Sequence, residues 1–225
     1  MVTAVIAAGG KGRRMGYKEN KVFMKILDKE IILHTLEAFE KNEDIDEIIV
    51  VAGENEHRRI AQMAKGIKKM RAVTTGGRTR QESVRNGIAF ANGDIILVHD
   101  GARALIAQSE ITKAVNAAKE YGAAAVGVKV KDTLKSSKDG FISGTIDRET
   151  VYQIQTPQAF SRDIIIKAHK MAQESGRDFT DDCGAVEEMG NRIKIIDGSY
   201  DNIKITTPED IEIAEKILKK RSEGI

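Results

Sequence analysis

Gly9, Gly10, Gly12 and Gly16 crowd a short segment that also carries Lys11, Arg13 and Arg14, directly after an apolar run over 2–8. Such a turn lets backbone N–H groups approach phosphate oxygens while the cations offset their charge. At the carboxyl end of a strand in an α/β sheet it also stands where ligands bind. Three frames compete for it. A P-loop requires Gly-Lys-Ser/Thr, which the segment lacks. A dinucleotide fingerprint fits Gly10-x-Gly12, but it meets Met15 at its last small position and leaves Glu54 as the acid for a ribose. In the third frame, a nucleotidyltransferase turn, the loop wraps a triphosphate while one arginine and a downstream lysine neutralise it, and Arg14 and Lys21 fit those places. A plain strand-to-helix turn with solvated charges stays open beside these.

Two later segments carry chemistry of the same kind. Gly76-Gly77-Arg78-Thr79-Arg80-Gln81-Glu82-Ser83 reads as a loop entering a helix, with Thr79 or Ser83 near its first turn and backbone amides able to read a base edge. Leu97-Val98-His99-Asp100-Gly101-Ala102-Arg103 sets an acid at the carboxyl end of a strand, where a magnesium-bound triphosphate would sit, so Asp100 is the metal candidate. The plainer reading makes Asp100 a turn cap and Arg103 a surface ion-pair partner. The single cysteine, Cys183, reads as a small core side chain, and with four scattered histidines it provides no zinc-site spacing.

The elements that must position these residues follow a βαβα rhythm. Strands are expected over 2–8, 48–52, 73–75, 95–99, 123–130 and 193–196. Helices are expected over 31–39, 60–64, 80–91, 110–120, 162–174, 182–189 and 208–221. Near-continuous apolar strands separated by helices imply a mostly parallel sheet covered on both faces. The rhythm breaks over 131–155, where Ser, Lys, Asp and Gly dominate. The alternations over 141–146 and 151–154 predict exposed hairpin strands there. Phe141, Ile142, Val151 and Tyr152 have no obvious core of their own, so a second subunit is expected to cover them. Nothing divides the 225 residues, so one domain over 1–225 is expected, with 131–155 projecting from it.

Composition narrows the partners. With 36 basic and 34 acidic residues, net charge +2, the chain has no general attraction for nucleic acid. Hydrophobic residues at 41% and charged residues at 31% belong to a soluble globular protein. No apolar run approaches the roughly 20 residues of a membrane span. The first strand lacks the basic flank of a signal peptide, so a cytoplasmic location is expected.

Taken in order, these segments resemble the cytidylyltransferase family that acts on 2-C-methyl-D-erythritol 4-phosphate in the non-mevalonate route to isoprenoids. The likeness spans nearly the whole chain. It extends to Val130-Lys131-Asp132-Thr133, Thr145-Ile146-Asp147-Arg148, Gln155-Thr156-Pro157-Gln158-Ala159-Phe160, Thr180-Asp181-Asp182 and Asp201-Asn202-Ile203-Lys204-Ile205-Thr206. It implies a Rossmann-like nucleotide-binding domain with a β-arm that embraces a partner in a homodimer. By position, Arg14 and Lys21 would stabilise the α-phosphate in the transition state, and backbone around Ala8, Gly10 and Gly12 would hold the triphosphate of CTP. Gly77, Arg80 and Ser83 would contact cytosine and ribose. Asp100, Gly101 and Arg103 would sit beside Mg2+ and the nucleotide. Thr156 and Lys204 would line the sugar-phosphate pocket, and Thr133 and Arg148 would reach the neighbouring subunit's site.

The sequence departs from the family's pattern at four places. The small pair before the loop's first glycine ends in Gly9; Asn20-Lys21-Val22 replaces a proline before and a glutamine after the lysine; Arg78 stands where an acid is common; Ala104 stands for a proline. Ribitol-5-phosphate cytidylyltransferases share the loop, the Thr-Pro-Gln segment and the Lys-Ile-Thr-Thr ending. Thr79 to Ser83 and Asp147-Arg148 favour methylerythritol phosphate instead. A non-catalytic nucleotide-binding protein is the alternative of another class.

Overall fold

The computed structural model of the protein describes residues 1–10 and 19–223. Along the chain the elements are β1 (Val2–Ala7), β2 (Lys25–Ile26), β3 (Lys29–Glu30), α1 (Ile31–Lys41), β4 (Glu47–Ala52), α2 (His57–Met63), β5 (Met70–Thr75), α3 (Arg80–Ile88), β6 (Ile95–Asp100), α4 (Gln108–Tyr121), β7 (Ala123–Lys129), β8 (Leu134–Lys138), β9 (Phe141–Ile146), β10 (Tyr152–Ser161), α5 (Arg162–Ser175), α6 (Asp182–Glu188), β11 (Lys194–Asp197) and α7 (Pro208–Ser222). A seven-stranded sheet has the order β11-β7-β10-β6-β1-β4-β5. Only β10 runs against its neighbours. The chain proceeds from β1 outward through β4 and β5 and then returns to β6 on the other side of β1. That reversal opens a crevice beyond the carboxyl ends of β1 and β6.

Period-two alternation explains why the sheet is covered on both faces. Ala4 and Ile6 of β1 join Ile48 and Val50 of β4 in a core closed by Leu36 and Phe39 of α1 and Ile111, Ala114, Val115 and Ala118 of α4. Val5, Ile49 and Val51 point the other way, onto Val84 and Ile88 of α3, Ile165 and Ala168 of α5 and Val186 of α6. The four α4 residues recur at i, i+3, i+4 and i+7, one stripe of a helix. A smaller cluster packs Ala214 of α7 against Ile26, Ile31, Leu105 and Ile205. This last packing secures the segment that carries Lys204. Among the described residues no helix is long and apolar enough to cross a membrane.

The projecting segment differs from its expectation. The hairpin pairs β8 with β9, Leu134 opposite Ile146 and Lys138 opposite Phe141. Asp139 and Gly140 turn it with φ of 51° and 83°, the positive pair that a two-residue hairpin turn needs. The 151–154 alternation is instead the entry to β10, whose Tyr152 to Ile154 already pair with β7. The true partner of 141–146 is Leu134–Lys138, too polar to show alternation, and the strand begun at Tyr152 continues through Pro157 to Ser161. The register shift between Ile154 and Gln158 is how β10 accommodates a residue without an N–H.

Candidate active site

A pocket of about 570 Å³ opens at the β1/β6 reversal, lined among others by Ala8, Gly10, Lys21, Gly77, Arg80, Ser83, Asp100 and Lys204.

Asp100 ends β6, and its carboxylate is the centre of the floor. Lys204 Nζ lies 2.7 Å from Oδ2, Arg80 Nε 3.6 Å from Oδ1, and Arg103 Nε 3.8 Å from Oδ2. Burial alone would raise its pKa; Lys204, then Arg80 and Arg103, outweigh burial and lower it to about 2. Asp100 is thus an ion at every physiological pH. It is not a cap: the bonds that shape its turn are made by backbone, with Arg103 N–H donating to the Asp100 carbonyl at 2.9 Å and Gly101 N–H to that of Ala7 at 2.9 Å.

Beneath it lies a residue that sequence reading passed over. His99 is fully buried, packed against Phe39 with ring centroids 4.9 Å apart, and burial lowers its pKa to about 4. A neutral ring has one donor and one acceptor. Nε2 faces the Arg103 carbonyl at 3.1 Å, which can only accept, so Nε2 holds the hydrogen. Nδ1 then accepts from the Thr156 hydroxyl at 3.1 Å, and that hydroxyl in turn accepts from Asp100 N–H at 3.0 Å. Thr156 is therefore spent on holding Asp100 from behind, and it is buried rather than presented to the pocket. Its signal was hydroxyl plus imidazole at the ends of adjacent strands, invisible until β10 is placed beside β6.

Lys204 is brought in by a second braid. Arg103 Nη1 donates to the Asn202 carbonyl at 2.8 Å, Asn202 Nδ2 to the Thr156 carbonyl at 3.0 Å, and Ile205 N–H to the Ala102 carbonyl at 2.9 Å. Arg103 thus ties the β6 turn to the 202–205 segment, and its guanidinium is mostly buried.

The 76–79 loop is fastened to α3. Thr79 caps the helix by accepting from Glu82 N–H at 3.1 Å; the Ser83 hydroxyl donates to the Thr79 carbonyl at 2.8 Å and accepts from Gly77 N–H at 2.9 Å. A Cβ on Gly77 would fall 2.5 Å from Glu82 Cβ, so only glycine fits. Lys21 begins a single 3-10 turn, Lys21–Phe23. Asn20 holds this turn: its Oδ1 accepts from Val22 N–H at 3.3 Å, and its Nδ2 donates to the Ala8 carbonyl at 2.6 Å and to Glu56 at 3.2 Å.

The remaining predicted residues fall elsewhere. Arg14 and Gly12 lie outside the described residues. Thr133 and Arg148 are exposed on the projecting segment and do not line this pocket; Arg148 Nη1 donates to the Lys131 carbonyl at 3.0 Å. Among the described residues no three His, Cys, Asp or Glu side chains gather as a metal site. One ionised carboxylate beside a basic pocket roomy enough for a nucleotide suits magnesium, which commonly takes one or two carboxylates and fills its shell with phosphate oxygens and water.

Comparisons with known proteins converge on one family. The family model described as IspD, 2-C-methyl-D-erythritol 4-phosphate cytidylyltransferase, matches residues 2–220. A protein of that name from Pelotomaculum thermopropionicum is 43% identical over 98% of this chain and 95% of its own. Another, from Caldanaerobacter subterraneus subsp. tengcongensis, is 45% identical over 97% and 99%. The crystal structure of 4-diphosphocytidyl-2C-methyl-D-erythritol synthase from Anaerococcus prevotii superposes with a TM-score of 0.88 at 31% identity, over 97% of this chain and 96% of that one. Matched by that family model over residues 2–220 and, over 98% of its length, by a relative 43% identical to it, the chain belongs to the 2-C-methyl-D-erythritol 4-phosphate cytidylyltransferase family.

Proposed function

We propose that this chain transfers CMP from CTP to 2-C-methyl-D-erythritol 4-phosphate, releasing pyrophosphate and forming 4-diphosphocytidyl-2-C-methyl-D-erythritol for isoprenoid synthesis. The observation that carries the reading is the convergence of Lys204, Arg80 and Arg103 on Asp100 directly beside Ala8 and Gly10, where the glycine-rich turn begins. In this reading the chain works in the cytoplasm as one domain over 1–225.

Attack by a phosphate monoester on the α-phosphorus of CTP brings two anions together, so positioning and charge neutralisation are the main tasks. The incoming phosphate is already ionised near pH 7 and needs no side-chain nucleophile. It attacks in line, the new P–O bond forms, and the bond to pyrophosphate breaks. Arg14 and Lys21 offset charge on the equatorial and leaving oxygens, while backbone at Ala8, Gly10 and Gly12 cradles the triphosphate. Asp100 would hold magnesium, which when bound neutralises phosphoryl oxygens and orients them. Gly77, Arg80 and Ser83 shape the base and ribose side. Lys204 passes from Asp100 to the attacking phosphate.

Thr133 and Arg148 serve the site of a second subunit, reached by the arm in a homodimer. The exposed apolar tip of the hairpin supports that arrangement. Mixing Arg14→Ala with Arg148→Ala subunits is expected to restore part of the activity lost in each; exchange-verified heterodimers with no recovery sink the arm model. For the reaction itself, pyrophosphate release with CTP and magnesium is measured on 2-C-methyl-D-erythritol 4-phosphate and on D-ribitol 5-phosphate. Preference for the first is expected. Preference for the second reassigns the acceptor, and silence with both overturns catalysis.

A further inference from the structure

Two motifs, the Gln158 end of the Thr-Pro-Gln segment and Thr180-Asp181-Asp182, have no part in the chemistry above. The fold brings them together behind Arg80. Asp182 and His169 are 1% and 2% exposed. Arg80 Nη1 donates to Asp182 Oδ2 at 2.8 Å, while its Nε faces Asp100 Oδ1 at 3.6 Å. On the other side His169 Nε2 stands 3.1 Å from Asp182 Oδ1, and since a carboxylate only accepts, that nitrogen carries the hydrogen. The backbone is pinned as well. Gln158 Oε1 accepts from Asp182 N–H at 3.1 Å and Cys183 N–H at 3.2 Å, and its Nε2 donates to Asp181 Oδ2 at 2.7 Å.

We propose that Asp182, backed by His169 and set by Gln158, is a positioning residue that aims Arg80 at the nucleotide. The proposal rests on the pocket being the CTP site. Arg80 stands between two carboxylates, one sealed and one on the pocket floor. Its shorter contact is with the sealed one, which keeps the guanidinium from closing fully on Asp100 and fixes a side chain that would otherwise sample many rotamers. Without Asp182, Arg80 is drawn onto Asp100, away from base and ribose and into competition with Lys204 for the same carboxylate.

A purely structural role for Asp182 would lower stability without acting through Arg80, and a double-mutant cycle separates the two. CTP affinity is measured by calorimetry on the full chain as it stands, on Asp182→Asn, on Arg80→Ala and on the double variant, with thermal melts alongside. The expected result is CTP binding about tenfold weaker in Asp182→Asn and no further loss when the substitution is added to Arg80→Ala. An equal loss in both backgrounds, or none in the native one, overturns the proposal. If Asp182→Asn does not fold, the same cycle with His169→Gln decides by the same criterion. Failure of the unsubstituted protein to bind CTP overturns the reading of the pocket itself, and the positioning role with it; tight native binding with an additive cycle removes the positioning role alone.

Discussion

At the pocket floor charged groups are buried and nearly every one finds its partner within the chain, whereas on the β8–β9 hairpin apolar groups stand in water. Asp100 has Lys204, Arg80 and Arg103 about it, and the backbone behind it is held through Thr156 to His99. Phe141 and Ile142 are 78% and 71% exposed on strands that pair only with each other. The floor is finished by one chain. The hairpin's two strands pair with each other and leave their apolar tip side chains uncovered, the kind of exposed apolar surface that the proposed homodimer would bury. This contrast separates what a monomer should do by itself from what it should need a second copy to do.

The sharpest break is at the floor. Asp100→Asn keeps the shape and removes the charge, leaving three cations facing one another and, in the proposed reaction, no carboxylate for the magnesium it would hold. Loss of kcat/KM by about a thousandfold is expected, measured as pyrophosphate release, with the fold intact by circular dichroism. Activity within tenfold of the native protein would mean the floor is not where the chemistry is organised.

On the hairpin, Phe141→Asp with Ile142→Asp is expected to shift the protein from dimer to monomer in sedimentation. If the proposed arm contact holds, turnover should fall about a hundredfold, because Arg148 would no longer reach the second subunit's attacking phosphate. The melting temperature of the monomer core should scarcely move. A native protein that sediments as a monomer and is fully active would remove the contrast altogether.

The acid behaviour of the floor gives a smaller effect of fixed sign. The folded pKa of Asp100, about 2, lies below its ordinary value of 3.8. The carboxylate therefore stabilises the fold fully above about pH 4, and that share is lost as the pH falls from there towards 2. It amounts to about 2 kcal/mol. Urea unfolding at pH 6 and pH 2.5 should show a smaller difference in Asp100→Asn than in the native protein by about that amount. An unchanged difference would mean that the cations do not hold the charge.

The two regions also differ in how far the sequence announces them. Six of the sheet's seven strands, its helices and the acid at the end of β6 were legible, because buried strands and amphipathic helices write their periods into residue order; β10, read as a hairpin strand, was not. Asp100 and Lys204 were placed by motif, and they meet at 2.7 Å. The hairpin's first strand was not legible, since Leu134–Lys138 lies in water on both faces and nothing selects an alternating pattern. Nor was the role of Thr156, whose partners His99 and Asp100 lie some way off in the chain and come near only when β10 inserts antiparallel between β6 and β7. Burial patterns are local in sequence; hydrogen-bond partners across a sheet are not.

Asn20 shows the same limit at the scale of one residue, and the smallest predicted effect tests it. From the sequence it is only a departure from proline. In the structure it clamps the turn that presents Lys21, reaching the Ala8 carbonyl, Glu56 and Val22 N–H with one amide. Asn20→Ala removes all three bonds and should lower stability by about 1 kcal/mol and turnover by several-fold, with CTP affinity little changed if Lys21 acts chiefly in the transition state. The φ of Asn20 is −64°, already the value that a proline ring imposes. Asn20→Pro should therefore recover part of the turnover that Ala loses, because the ring restricts by covalent geometry the backbone that the amide restricts by hydrogen bonds. If Pro and Ala fall equally in turnover, the side-chain bonds themselves, and not the restraint on the turn, set where Lys21 stands.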